Sequence, residues 1–371
     1  MNNQKSDSIA LVLTTINSPN DALNLLADGC RDHGYHFVIA GDTKSPDDFR
    51  LEDANYLNID AQNSSGFHLA KLCPTQHYAR KNIAYLVAIR DGAKLIIETD
   101  DDNLPYSTFW ESRSMIKTVP VCEKLGWLNV YHYFTKTNVW PRGYPLDELQ
   151  KEIQAIGSYP IQRVHCPVQQ GMANINPDVD AIYRLIYNKP VEMIRDGNLA
   201  IGNGTWSPFN SQNTSWWEIA FPLLYLPAYC SFRMTDIWRS FIAQRIMWVN
   251  GWYLLFHGAT VWQNRNEHIL MDDFENEIPG YIGNKKFTKI LLKLNLEPGI
   301  DNIYNNLLAC YKTLVTHEFF PKKELIYSPP GVARSRSFNV LVSPIKELTF
   351  SLQPLGWLVG GKGEVEGGAF S

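Results

Sequence analysis

The sequence predicts an α/β fold: a mostly parallel central sheet flanked by helices, with a helical C-terminal extension. Three observations predict it. The chain opens on a strand–helix–strand unit, which argues for parallel strands with helices outside. A strong helix and another apolar strand follow and end at Thr99. From about residue 285 the pattern is helical throughout.

"SIALVLTTI" is β-branched and apolar, and "NSPN" ends it, as expected of a buried strand. "DALNLLADGCRDHG" reads as a helix with Asn20 as N-cap and Gly34 beyond its end. "YHFVIAG" is a second strand, followed by Asp42 in "GDTKSP". "YARKNIAYLVAIRD" over 78–91 is a helix stopped by Gly92, and "KLIIET" is the next strand. The middle of the chain mixes short strands with loops rich in Pro, Asn and Trp. There "TWSPFNSQNTSWW" is polar and aromatic together, which suits a substrate-facing surface. Helix returns in "TDIWRSFIAQRIMWVNGW", "KKFTKILLKLNL" and "IDNIYNNLLACYKTLV". The Gly-rich "GGKGEVEGGAF" reads as a flexible tail.

The chain has 371 residues, 45% apolar, 12% aromatic and with 11 Trp, enough for a sizeable core. A net charge of −4 offers no basic field for nucleic acid. The six cysteines are far apart, so zinc spacings and CxxC motifs are absent, and buried free thiols are expected. No window reaches the roughly 18 apolar residues of a membrane span, so a soluble, cytoplasmic chain is expected, peripheral to a membrane at most.

The chemistry concentrates in "KLIIETDDDN". Asp100, Asp101 and Asp102 follow an apolar strand with nothing in the adjacent sequence to neutralise them. Adjacent carboxylates repel unless a cation or a proton intervenes. Hard ions such as Mn²⁺ or Mg²⁺ take oxygen ligands and bridge carboxylates to phosphates. A solvated acidic turn is the plain alternative. Ligands of open α/β sheets collect at the carboxyl ends of strands, where Asn17, Asp42 and the triple aspartate all fall. Arg80 and Lys81 open the preceding helix and are expected to face a diphosphate. A dehalogenase-type phosphatase would carry its Asp-x-Asp after the first strand. The GxGxxG of dehydrogenases and the P-loop signature are both missing.

"YARKNIAYLVAIRDGAK" with "DDDN" resembles the helix–strand–DxD segment of GT-A glycosyltransferases. More closely, the chain resembles the STELLO family, whose domain is itself similar to the reversibly glycosylated polypeptides. The stretches that carry this are "VLTTINSP", "GDTKSP", "WPRGYPLDEL", "VQQGMANINPDVDAIYRL", "FNSQNTSWW", "SFRMTDIWRSFIAQRIMW" and "VWQNRNEHILMDDF", spanning about residues 8–280. The resemblance implies a GT-A-like nucleotide-sugar-binding domain over 1–285, a helical extension over 286–358 and a tail over 359–371. It implies a metal-dependent glycosyltransferase using Mn²⁺ or Mg²⁺. Its donor would be a nucleotide sugar, a UDP-sugar foremost, and its acceptor a glycan or lipid-linked sugar. Nucleic acid and an integral membrane segment are not expected. The alternatives are a nucleotide-sugar mutase and a non-catalytic scaffold of the same fold.

Carried onto this chain, the resemblance makes Asp100, Asp102 and His257 metal ligands, with Asp102 the most direct. Asn17, Asp42, Arg80, Lys81 and Asp101 become donor-binding. Asp236 is placed on the acceptor side as general base, and Arg142 is the counterpart of an arginine that becomes glycosylated in the polypeptides. Each has a plainer reading: His257 as a core histidine, Asp236 as a helix cap, Arg142 as a turn residue. For Trp216 and Trp217, core packing competes with stacking on a sugar.

Overall fold

The computed structural model describes residues 8–150 and 158–325. An eleven-stranded sheet runs through the molecule. From one edge its strands are β3 (Ala54–Leu57), β2 (His36–Ala40), β1 (Ile9–Thr14), β4 (Leu95–Thr99), β12 (Asn213–Trp217), β9 (Val168–Asn174), β13 (Leu254–Gln263), β10 (Asn198–Ile201), β6 (Ile116–Cys122) and β8 (Ile161–His165). The short β5 (Asn103–Pro105) also pairs with β13, while β7 (Gly126–Trp127) and β11 (Thr205–Trp206) form a separate two-stranded sheet.

The first four strands are parallel, as the opening strand–helix–strand unit predicts. The rest of the sheet corrects the mostly parallel expectation. Strand β12 enters antiparallel to both β4 and β9, and β10 is antiparallel to β13. Parallel pairing resumes only at β9–β13 and β6–β10.

Helix α1 (Asp21–His33) begins and ends where its caps dictate. Asn20 Oδ1 accepts from Leu23 N–H at 2.9 Å, and Gly34 takes the left-handed conformation, φ 69°. Between β3 and the next long helix lie two short ones, α2 (Ile59–Asn63) and α3 (His68–Leu72). Helix α4 (Lys81–Arg90) is buried on all sides from Lys81 to Ile89, which is why its sequence shows apolar residues around more than one face. A single-turn α5 (Ala181–Ile186) follows β9.

Helix α6 (Thr235–Val249) and α8 (Ile303–Thr316) share one apolar cluster with α4 and the sheet, through Ile237, Phe241, Leu307 and Leu314. Between them, α7 (Leu270–Leu292) runs unbroken through residue 285, so the expected domain boundary falls inside a helix. Its first half was not legible as helix because it holds Pro279, Gly280 and Gly283. The glycines answer to close approach: a Cβ on Gly280 would stand 2.3 Å from Met234 Sδ, and one on Gly283 would stand 2.9 Å from Phe319. All six cysteines are free thiols, five of them buried. The tail over 359–371 lies outside the described residues.

Candidate functional site

The carboxyl ends of β1, β2 and β4 share one edge of the sheet, and the ends of β9 and β13 reach the same edge. A cavity of about 560 Å³ opens there. It is lined by Asn17 after β1, Asp42 after β2, Asp100 to Asp102 after β4, Ser211 before β12 and Gln263 at the end of β13. The polar loop "FNSQN" therefore does face the cavity, whereas Trp216 does not. Trp216 is wholly buried, and its Nε1 donates to Glu98 at 2.8 Å.

The three aspartates have different surroundings. Asp101 accepts from Thr15 Oγ1 at 2.5 Å, Asn17 Nδ2 at 2.9 Å and Asn266 Nδ2 at 3.1 Å. Asn20, the cap of α1, also donates to Asp101 O at 2.9 Å, so one residue starts the helix and fixes the acidic turn. Asp102 accepts from Gln263 Nε2 at 2.9 Å and Asn266 N–H at 3.0 Å. Among the described residues, the Asp100 carboxylate accepts only from Tyr78 Oη, at 3.2 Å, with Lys81 Nζ 3.9 Å away. Burial pushes the Asp100 carboxyl up to about 8; Lys81 opposes that, while Asp102 and Asp101 add to it by repulsion. Burial raises Asp102 as well, against the hydrogen bonds from Asn266 and Gln263. The like-charge conflict visible in the sequence survives folding, concentrated on Asp100.

The two expected donor cations serve other purposes. Arg80 borders the cavity, but its guanidinium donates to Gln62 Oε1, Ala70 O and Cys73 O and so holds α2 and α3 in place. Lys81 is fully buried behind Asp100, donating to Tyr78 Oη at 2.8 Å, Thr99 O at 3.0 Å and Ser211 O at 3.2 Å. Asp42 does line the cavity, where its Oδ2 accepts from His77 N–H at 3.0 Å.

His257 is a correction of another kind. It sits mid-strand in β13, opposite Gly171 and Asn198, and does not line the cavity. Six residues separate it from Gln263, about 20 Å of strand. Burial, then the nearby Arg113, lowers its pKa to about 4. Two histidines do line the cavity, His77 and His268, the latter 3.2 Å from Asp273.

Arg142 and Asp236 do meet. Arg142 Nη1 and Nη2 donate to Asp236 Oδ1 and Oδ2 at 3.0 and 2.9 Å, and Ser211 Oγ lies 3.3 Å from Asp236 Oδ2. On its other side Arg142 contacts Asp178, the shortest distance being 2.7 Å from Nη2 to Oδ2. Burial would raise the Asp236 carboxyl, but Arg142 outweighs it and the net shift is downward.

Arg184, Arg233 and Arg265 also line the cavity, and sequence reasoning assigned none of them. The available signal was the polar run "QNRNEH" directly after the apolar strand "LLFHGATVW", the same device as "DDDN" after "KLIIET". Asp273 pairs with Arg233, Arg265 and His268, and this cationic company holds its carboxyl well below the ordinary range despite burial.

The family described as STELLO glycosyltransferases matches residues 233–327, which include Asp236, Arg265 and His268. Over that segment the chain is similar to the family. Two curated relatives from Arabidopsis thaliana are "Probable glycosyltransferase STELLO2", 28% identical over 281 residues, and "Probable glycosyltransferase STELLO1", 26% identical over 340. The alignments cover 70% and 86% of this chain but only 36% and 43% of those relatives, so it spans well under half their length. A solved mycobacterial protein is similar at TM-score 0.40 and 9% identity, over 77% of this chain and 74% of that one. Among the described residues, no helix is long and apolar enough to cross a membrane. No group of three or more His, Cys, Asp or Glu among them is arranged to hold a metal ion.

Proposed function

We propose that the chain is a metal-dependent glycosyltransferase that takes its sugar from a nucleotide-sugar donor. One observation carries this reading: the cavity lining holds both crowded carboxylates, Asp100 to Asp102, and crowded guanidiniums, Arg233 and Arg265 among them. A cation-bound diphosphate matches both sets of charges. Asp100 and Asp102 fit a hard divalent ion by their chemistry, since they are adjacent oxygen donors whose charged forms are disfavoured without a counter-ion. Two carboxylates are enough for Mg²⁺ or Mn²⁺ where substrate phosphates and waters complete the shell. Such an ion supplies Lewis-acid polarisation and charge neutralisation for a leaving diphosphate.

The chain's own residues do the rest. Asn17 and Asp42 border the part of the cavity where base and ribose would lie. Arg233 and Arg265 offer positive charge to the phosphates, and His268 a ring nitrogen for hydrogen bonding. Asp236 is assigned a positioning role in place of the general base. Paired to Arg142 and held at low pKa, it is a poor proton acceptor, but it fixes Arg142 and Ser211 at the cavity wall.

The test is a melting-temperature series with UDP-, GDP-, CMP- and dTDP-sugars, with Mn²⁺ or with EDTA, followed by assay of sugar release. At least one nucleotide sugar should stabilise the protein in Mn²⁺ and much less in EDTA. The absence of any nucleotide response would overturn the reading. Ring rearrangement of the donor without release or transfer of its sugar would convert it to a mutase.

A further inference from the structure

Of the five arginines on the cavity wall, three are matched to acids, and Arg80 is held by Gln62, Ala70 O and Cys73 O. Arg142 has Asp178 and Asp236. Arg233 has Glu277 at 2.8 Å, and Arg265 has Asp273 at 2.9 Å. Arg184 has none among the described residues. From α5 its Nη1 donates to Asn176 Oδ1 at 3.2 Å and its Nη2 to Pro177 O at 2.9 Å. Among the described residues its Nε has no hydrogen-bond partner, although Arg184 is only 6% exposed. Burial lowers its pKa to about 10, with Arg265 and Arg233 adding repulsion and the more distant Asp178 and Asp273 opposing it in part, so it remains a cation at neutral pH.

Burying an unpaired charge is expensive, and an unsatisfied N–H beside it adds to the cost. The neighbouring guanidiniums make that worse. The bound state can relieve all three terms at once if the ligand brings the missing negative charge. A planar guanidinium with a free Nε edge matches a two-oxygen anion, either carboxylate or phosphate.

We propose that Arg184 anchors an oxyanion of the substrate. The oxyanion is either a phosphate of the donor diphosphate or the carboxylate of an acidic sugar. The proposal deepens the nucleotide-sugar reading and rests on it for the identity of the ligand, but anion binding itself requires neither metal nor turnover.

The experiment measures the melting temperature of the full chain in EDTA, which removes any metal-bridged binding. Inorganic diphosphate and glucuronate are the probes, each added to wild type, Arg184→Gln and Arg184→Lys. At least one anion should raise the wild-type melting temperature. That gain should vanish in Arg184→Gln and fall about two-fold or more in Arg184→Lys, which keeps the charge and loses the fork. A gain from diphosphate alone assigns the donor phosphates; a gain from glucuronate alone assigns an acidic sugar. An equal gain in all three proteins, or none in wild type from either anion, overturns the proposal. If Arg184→Gln does not fold, Arg184→Lys decides. An Arg184-dependent gain in a protein that ignores every nucleotide sugar would sink the transferase reading and leave the anion site standing.

Discussion

Arg142 and Asp236 meet fork to fork in a buried ion pair, with Nη–Oδ distances of 3.0 and 2.9 Å. The other N–H groups of Arg142 go to Asp178 and to the carbonyl of Arg233. One guanidinium thus joins the loop at 140–144, the segment after β9 and the first turn of α6. Breaking a buried pair by removing one partner costs more than forming it gains, because the other charge is left behind.

Asp236→Asn should therefore lower unfolding stability by about 3 kcal/mol, read by urea denaturation. The pH dependence has a definite sign. The folded pKa of Asp236 lies below its unfolded value of about 3.9, so its contribution is fully present above pH 4 and lost as pH falls through the folded value. The deficit of Asp236→Asn should be full at pH 7 and shrink below pH 4. A deficit that grows on acidification would show that the ion pair is not its cause.

Arg142 should not become glycosylated. It is buried, every N–H is occupied, and the two aspartates hold its pKa well above the usual value, so a neutral nucleophilic nitrogen is not accessible. Mass spectrometry after incubation with donor and Mn²⁺ should find the peptide carrying Arg142 unmodified. A sugar mass on that peptide would contradict the geometry.

The opening half of the fold was legible because local signals agree there: Asn20 and Gly34 bound α1, Gly92 ends α4, and apolar strands stop at polar turns. The site was legible where a strand end displays an unusual residue, as at Asn17, Asp42 and Asp100. It was not legible where tertiary contacts redirect a side chain. Arg80 and Lys81 look free in sequence, yet one ties α2 and α3 while the other sits behind Asp100. His257 lies within β13 and His268 beyond its end, so the extent of that strand separates a core histidine from one that lines the cavity.

That separation is testable. His268→Ala should weaken nucleotide stabilisation in Mn²⁺ several-fold, because it removes a group at the cavity wall. His257→Ala should leave that stabilisation within two-fold of wild type. The reverse pattern, read as ligand-induced melting shifts, would return His257 to the site.

Strand β4 carries the acidic turn, and Glu98 fixes it to α6. Glu98 accepts from Arg239 Nη2 at 2.7 Å and Trp216 Nε1 at 2.8 Å, and Tyr85 Oη also donates to it. Arg239→Met should cost about 3–5 kcal/mol, since Glu98 would be left buried and uncompensated. Glu98→Gln added to Arg239→Met should recover part of that loss in a double-mutant cycle. Strict additivity of the two single changes would mean that the pair is not coupled.

Asp100 gives the sharpest pH test. Its folded pKa of about 8 lies above the unfolded value of about 3.9, so folding takes up a proton between these values. Stability from this group is full below about pH 4 and is lost as pH rises toward 8. Asn mimics the protonated carboxyl. Asp100→Asn should therefore melt close to wild type at pH 4 and increasingly above it toward pH 8. A divalent ion competes with the same proton. In wild type, the gain in melting temperature from Mn²⁺ should rise between pH 5 and pH 8, and in Asp100→Asn it should be small throughout. If Asp100→Asn is no more stable than wild type at pH 8, the carboxylate is already neutralised within the chain. An equal Mn²⁺ gain in both proteins would place the ion elsewhere.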